Sequence, residues 1–232
     1  MIAKQMNPMP KRRAFVSAGA ILVMLFFASC TNQPKKCVDI DGNSYTVVQI
    51  GSMQWTGENL DVAHYRNGDT IPEIKDSDVW PTLTTGAWCY NENKAENGKT
   101  YGKLYNWYAV NDPRGLAPKG WHVASDAEWS ELASLLGGSE TAGGAMKATV
   151  HWKEPNDGAK NKSGFAALPA GARRDIDGKF MAPSEYSRFW SSTESTIKSA
   201  MVSALGYFDT VLRQGKAGKN NGFSVRCVKD KD

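Results

Sequence analysis

Acidic and histidine side chains are the first candidates for chemistry in this 232-residue chain, and their spacing forms no familiar catalytic set. His64, His122 and His151 lie far apart, and no two of them have the spacing of a helix face or a zinc finger. Asp175 and Asp177 adjoin two arginines in a predicted turn, where carboxylates are more often surface charges than an acid–base pair. The sequence has no nucleophile elbow, phosphate loop or dinucleotide fingerprint. It therefore favours a non-enzymatic protein, with an enzyme as the alternative.

An oxygen-rich stretch is the candidate for a metal site. It contains Glu154, Asn156, Asp157 and Asn161, and carboxylate and amide oxygens are the ligands that Ca²⁺ prefers. The tripeptide at 154–156 also resembles the Glu-Pro-Asn motif of C-type lectins, but the Trp-Asn-Asp partner of that motif is absent further along. A solvated turn is the favoured interpretation and a calcium site is the weaker one. No other cofactor is predicted.

Tryptophan is the feature most compatible with carbohydrate recognition, because flat aromatic faces pack on the CH groups of sugars. Most of the eight tryptophans are expected in the core, and Trp129, on the apolar stripe of a predicted helix, is the plainest case. Trp80 and Trp88 lie instead in the stretch 64–100, which has little periodicity and much Asn, Gly, Asp and Pro. We expect these two side chains to be exposed, and they are the candidate ligand-binding residues.

Three cysteines follow residue 30, which allows three disulfide pairings. We predict a bond between Cys89 and Cys227, because it would restrain a loop region and the chain end and contribute about 3 to 5 kcal/mol. Cys37 is expected to lie in a tether and to be a free, reactive thiol.

Cys30 lies at the end of a predicted export signal. Four basic residues precede the apolar run Ala14–Ala28, and small residues stand directly before the cysteine. The run is shorter than the roughly 20 residues of a membrane-spanning helix. Phe27-Ala28-Ser29-Cys30 resembles a bacterial lipobox, in which the cysteine is acylated. We therefore predict a signal peptide at 1–29, an acylated Cys30 with a tether at 30–37, and one domain at 38–232.

The net charge of +4 is lost when the predicted signal peptide is removed. The signal holds four of the 28 basic residues and none of the 24 acidic ones, which leaves 24 of each. A nucleic-acid partner is therefore not expected. The predicted partners are the membrane, through the acyl chains, and a glycan or protein of the cell envelope. The residues after Cys30 lack the acidic cluster that surface-exported lipoproteins often carry, which favours the periplasmic face of the outer membrane over the cell surface.

The elements around these residues predict an α+β domain. Alternating apolar residues on either side of Asp41-Gly42-Asn43 predict a β-hairpin. Ser125 and Glu128 form a capping box at the start of a helix that Gly137-Gly138 ends, and a second short helix is expected at 139–147. Short strands are predicted near 165–168, 189–191, 200–205 and 223–228.

Several motifs together resemble the Fibrobacter succinogenes major paralogous domain family, over about residues 38 to 229. They occur in the family's order: Gly51–Leu60, Tyr101–Tyr108, Gly120–Val123 with Asp126–Trp129, Gly164-Phe165, Phe189–Thr193 and Gly222–Cys227. The resemblance implies an exported, often lipid-anchored protein of Bacteroidetes-type bacteria or of Fibrobacter, with no established activity.

The second half is also similar to the C-type-lectin-like fold of the formylglycine-generating enzyme superfamily. That similarity implies a single loop-rich domain with short antiparallel strands and one or two helices. Only Cys227 stands where that enzyme needs a redox-active cysteine pair, so its chemistry is not expected. The hypothesis that results is a lipid-anchored, non-enzymatic envelope module that presents loops to a glycan or protein. The alternatives are an enzyme or accessory subunit of polysaccharide breakdown, and a purely structural envelope protein.

Overall fold

The computed structural model describes residues 1–2, 35–181 and 183–231. The chain divides into two units, Met1–Gln33 and Pro34–Asp232, and every element below belongs to the second. Cys30 and the predicted signal lie outside the described residues. Within those residues, no helix is long and apolar enough to cross a bilayer.

A five-stranded antiparallel sheet joins the two ends of the domain. Its order is β1-β2-β3-β12-β6, formed by Lys36–Val38, Ser44–Ile50, Met53–Thr56, Cys227–Lys229 and Trp121–Val123. The predicted hairpin is confirmed as β1 and β2, and Gly42 has a φ of 84° in its turn, a conformation that favours glycine. The final strand lies between β3 and β6, so the chain end is held in the centre of the sheet.

Three smaller sheets contain the remaining strands. β9 (Tyr186–Thr196), β10 (Ser199–Gly206) and β11 (Arg213–Gly218) form an antiparallel meander in which β10 is central. Two pairs are shorter: β4 (Trp88–Cys89) with β5 (Leu104–Tyr105), and β7 (Ala172–Arg173) with β8 (Phe180–Met181). The strand predicted at 165–168 is wrong, because this segment forms only a single bridge, between Ala167 and Lys147.

Within the described part of the chain, four α-helices lie among these strands: α1 (Ala95–Tyr101), α2 (Trp107–Val110), α3 (Asp126–Leu135) and α4 (Ser139–Met146). The capping box of α3 is present in full, with Ser125 accepting from the Glu128 amide and Glu128 accepting from the Ser125 amide. Gly144 stands in α4 because a Cβ there would lie 2.7 Å from the carbonyl oxygen of Gly158. The fold is α+β as predicted, although strands outnumber helices.

Two large hydrophobic clusters form the core. One contains what we call the aromatic cluster, Trp55, Trp129, Phe165 and Phe189, whose rings lie 5.0 to 5.9 Å apart. The other surrounds Trp190 and Phe223, whose ring centroids are 4.5 Å apart. Trp129 is fully buried, as its place on the helix stripe predicts.

Candidate functional site

A groove of about 550 Å³ lies between four segments of the domain. Its walls come from residues 43–45, 57–61 without Leu60, 98–102 without Tyr101, and 148–151, and it is closed by Asn161, Ala166 and Leu168. A volume of this order lies within the roughly 300 to 1,000 Å³ of small-ligand sites. Backbone hydrogen bonds such as that from the Lys103 amide to the Leu60 carbonyl oxygen hold these walls in part, and side-chain hydrogen bonds add to them.

Arg226 binds the wall at 57–61 and the segment at 165–166 that closes the groove. This side chain is 1% exposed, and its Nε donates to Asn59 Oδ1 at 2.7 Å. Nη1 donates to the carbonyl oxygens of Thr56 at 2.7 Å and Phe165 at 3.0 Å, and Nη2 donates to that of Ala166. Burial lowers the pKa of Arg226 to about 9, which leaves the guanidinium charged at neutral pH. Its planar fork satisfies four acceptors that the loops could not satisfy themselves.

Asn59 and Lys103 extend this arrangement to the other side of the groove. Asn59 Nδ2 donates to the carbonyl oxygen of Tyr101 at 2.8 Å, which fixes the wall at 98–102. Lys103, 4% exposed, donates to the carbonyl oxygen of Asp61 and, at 2.8 Å, to its carboxylate. We call Asn59, Lys103, Arg226 and the loops they bind the groove framework. Its polar groups are buried, and almost all of them are hydrogen-bonded to one another.

His151 stands on the rim in a conformation that few residues adopt. Its φ is 70°, and the ring meets that of Tyr101 edge-on, with centroids 6.1 Å apart. The wall is held from behind, because the amide of Ala148 donates to the carbonyl oxygen of Ala167 at 3.0 Å. Non-glycine residues in the left-handed region cluster at functional sites. The exposed His151 ring is therefore a candidate ligand contact of the groove.

The acidic groups of the groove are held as hydrogen-bond acceptors. Glu58 accepts from the amide of Thr46 at 2.6 Å and from its hydroxyl at 2.9 Å. Burial raises the pKa of Asp61, and the hydrogen bond from Lys103 opposes that change. Lys99, Thr100 and His151 add exposed polar side chains on the facing walls. The groove can exchange several hydrogen bonds with a neutral polar ligand and cover it with one apolar edge.

Trp80 and Trp88 do not reach any such surface, and the prediction that they are exposed is wrong. Trp80 is fully buried, its Nε1 donates to the carbonyl oxygen of Asn220 at 2.6 Å, and the Arg173 guanidinium lies 4.4 Å from its ring centroid. Trp88 is 8% exposed and donates to the carbonyl oxygen of Ile71 at 2.8 Å. Both rings are buried beneath loops and hold them in place. A loop-rich sequence does not show whether its tryptophans are buried in this way or exposed to solvent.

The calcium candidates do not form a ligand set. Asn161 Oδ1 accepts from the amide of Ala166 at 2.8 Å, and Asn156 Nδ2 donates to the carbonyl oxygen of Ala148 at 3.1 Å. Glu154 and Asp157 are exposed. Over residues 35–181 and 183–231, no three His, Cys, Asp or Glu side chains lie close enough to share a metal ion. The two asparagines support the groove wall instead.

The predicted disulfide is not formed: Cys37, Cys89 and Cys227 are all free and buried. Cys89 packs with Trp80 and Leu104, whereas Cys227 shares a different hydrophobic cluster with Cys37. Cys37 is also not a reactive tether thiol, because it lies in β1 and burial raises its pKa to about 11. Burial likewise raises the pKa of Cys89 to about 12.

The remaining candidate residues that the structure describes make structural contacts. His122 hydrogen-bonds Glu128 at 2.8 Å and Asp230 at 2.7 Å, which joins the chain end to the start of α3. Asp177 is ion-paired with Arg174 at 3.3 Å, in the turn between β7 and β8 and outside the groove. Cys30 lies outside the described residues, so its acylation stays a prediction.

Sequence reasoning missed the groove residues themselves. Glu58, Asn59 and Arg226 lie inside two of the motifs quoted above, Gly51–Leu60 and Gly222–Cys227. The signal that could have found them is polarity inside a motif, because a buried arginine requires several acceptors from other segments. Nothing in the spacing of residues 59 and 226 shows that they meet.

Fold and site together define an α+β domain, rich in strands, with a polar groove built on loops. A family model, the Fibrobacter succinogenes major domain, matches residues 48–229. The chain belongs to this family. No curated protein matches the chain. No solved structure matches it either, and the C-type-lectin-like architecture stays a prediction.

Proposed function

We propose that the chain is a lipid-anchored, non-enzymatic module of the cell envelope that binds a neutral glycan in the groove. The observation that carries this proposal is the groove framework, which joins the walls at 57–61 and 98–102 and the closing segment 165–166 beside a space of about 550 Å³. A preformed polar site reduces the ordering cost of binding. The exposed His151 ring lines the groove, contacts the Tyr101 ring edge-on with centroids 6.1 Å apart, and supplies an apolar surface for one face of a sugar ring.

The direct test removes the His151 ring without disturbing its backbone. His151→Gly suits a φ of 70°, so the variant should fold as stably as the original protein. Ser184→Gly is the matched control, because Ser184 has a φ of 76° and does not line the groove. Both variants and the original protein are compared on an array of neutral oligosaccharides, and hits are titrated by calorimetry.

We expect His151→Gly to weaken binding at least tenfold and Ser184→Gly to leave it unchanged. Absence of any glycan hit with the original protein would contradict the glycan assignment. Equal affinity of the two variants would contradict the assignment of the groove.

Membrane attachment through Cys30 is the second part of the proposal, and the periplasmic face of the outer membrane is the favoured location. It rests on the export signal and the lipobox-like residues 27–30. Cys30→Ser should move the protein from the membrane fraction to the soluble fraction, because more than one acyl chain is needed for stable anchoring. Cys37→Ser is the control. Unchanged partition of Cys30→Ser would refute the anchor.

A further inference from the structure

One face of the β9-β10-β11 sheet carries a second cluster of charged and aromatic side chains, and none of these residues lines the groove. Ala204 of β10 pairs in register with Arg188 of β9 on one side and with Arg213 of β11 on the other. Directly opposed residues of neighbouring strands share a face. The two guanidinium groups therefore flank a position that holds only a methyl group, which leaves a shallow depression between them.

The two arginines differ in their partners. Arg213 makes a two-pronged ion pair with Asp209. Arg188 has no hydrogen bond or ion pair from its side chain to any residue in 35–181 or 183–231, and its guanidinium lies 5.7 Å from the ring centroid of Phe223. Burial lowers the pKa of Arg188, since partial desolvation disfavours the charge. A half-buried cation without a partner is costly, and an anionic ligand would relieve that cost.

Aromatic rings lie next to this arginine along the same face. Tyr186 precedes Arg188 by two residues, which puts both side chains on one side of the strand, and it pairs in register with Gly206. Phe208 folds over that glycine, is 42% exposed, and lies with its ring centroid 6.1 Å from that of Tyr186. Two residues along a strand span about 7 Å. An apolar ring surface and an unpartnered guanidinium are therefore separated by about the width of one sugar ring.

We propose that this face, formed by Tyr186, Arg188, Ala204, Phe208 and Arg213, binds a pyranose ring that carries a carboxylate, as in a uronic acid residue of an acidic polysaccharide. The carboxylate accepts two parallel hydrogen bonds from Arg188, a geometry that the planar guanidinium supplies and a lysine does not. The CH face of the ring packs on Phe208 and Tyr186. This site is separate from the groove and does not depend on the function proposed for it.

Calorimetry with trigalacturonate as the probe and galactotriose as its uncharged counterpart tests the proposal on the purified full chain. We expect trigalacturonate to bind at least tenfold more tightly than galactotriose. Arg188→Gln should abolish that difference, and Arg188→Lys should recover only part of it. Phe208→Ala should weaken binding several-fold. Arg174→Gln, which removes an exposed arginine outside this face, is the control and should change nothing.

Three outcomes would overturn the proposal. The first is equal affinity for the two trisaccharides, and the second is unchanged binding by Arg188→Gln. The third is displacement of trigalacturonate by inorganic sulfate at the same concentration, which would show recognition of charge alone. His151→Gly separates the two sites, since it should leave trigalacturonate binding intact. Loss of binding in that variant would place the acid in the groove and refute this site.

Discussion

The groove framework and the aromatic cluster hold their parts of the domain by opposite means. In the aromatic cluster, Trp129 and its neighbours are fully buried and contact one another through ring faces and edges. In the groove framework, Arg226 is almost as deeply buried and its guanidinium lies 4.5 Å from the ring centroid of Phe165, where the two regions meet, but it binds the loops through directed hydrogen bonds to carbonyl and amide oxygens. Regular elements bury apolar faces, whereas loops must satisfy their backbone groups elsewhere. The loops of this domain do so with buried cations.

The largest effect is expected at Arg226. Arg226→Met leaves four buried acceptors without a donor, at about 1 to 3 kcal/mol each, so we expect the free energy of unfolding to fall by roughly 4 kcal/mol or more. Denaturant titration measures this change. Arg226→Lys keeps the charge and should lose about half as much. A loss below about 1 kcal/mol in both variants would contradict the comparison, because it would mean that packing alone holds the loops.

Trp129 tests the other region. Trp129→Ala should reduce the free energy of unfolding by roughly 3 to 5 kcal/mol, as expected when an aromatic side chain is removed from a packed core. The indole Nε1 is buried and has no partner among the described residues, so Trp129→Phe serves as a mild control that removes no hydrogen bond. Glycan affinity of the folded Trp129→Phe variant should equal that of the original protein. A variant that folds but no longer binds would show that the two regions are not independent.

The ion pair at His122 predicts a smaller, pH-dependent effect. The hydrogen bonds with Glu128 and Asp230 raise the pKa of His122 to about 9 against burial. Burial would raise the pKa of Glu128, but the hydrogen bonds from His122 and Ser125 lower it to about 2. A raised histidine pKa stabilises the fold fully below the unfolded value of about 6.5, and this contribution is lost as the pH rises through 9. The lowered Glu128 pKa stabilises the fold above about 4.5 and is lost toward pH 2.

His122→Gln should therefore flatten the alkaline limb of the stability curve between about pH 6.5 and 9, by no more than about 1 kcal/mol because the ring is partly exposed. Chemical unfolding at a series of pH values measures this limb. An unchanged slope in the variant would show that His122 does not titrate with the chain end.

The smallest effect is expected from reductant. Since Cys37, Cys89 and Cys227 are free, dithiothreitol should change the unfolding midpoint by an amount worth less than about 0.5 kcal/mol. All three thiols should react slowly with an alkylating agent in the native state, because burial raises each pKa. Peptide mapping after labelling checks each cysteine. A crosslinked peptide, or rapid labelling of Cys37, would refute the free and buried assignment.

The contrast between the two regions also explains what could be predicted from the sequence. Ser125, Glu128 and Trp129 have local spacing with a physical meaning, so α3, its cap and its buried stripe follow directly from the sequence. Asn59 and Arg226 lie 167 residues apart and meet only in the folded chain. The prediction that Trp80 is exposed is wrong for the same reason, since Arg173, which covers its ring, lies in β7. The family motifs indicated the domain but not the contacts inside it.

The central claim, that Arg226 holds the groove walls while the aromatic cluster holds itself, is tested most directly by hydrogen exchange of Arg226→Lys. The variant keeps the positive charge and removes the fork that binds two groove segments, the wall at 57–61 and the closing segment at 165–168. We predict that amides in 57–61 and 165–168 exchange at least tenfold faster than in the original protein, while those of α3 keep their rates. Equal acceleration in α3, or unchanged rates in the two groove segments, would contradict the claim.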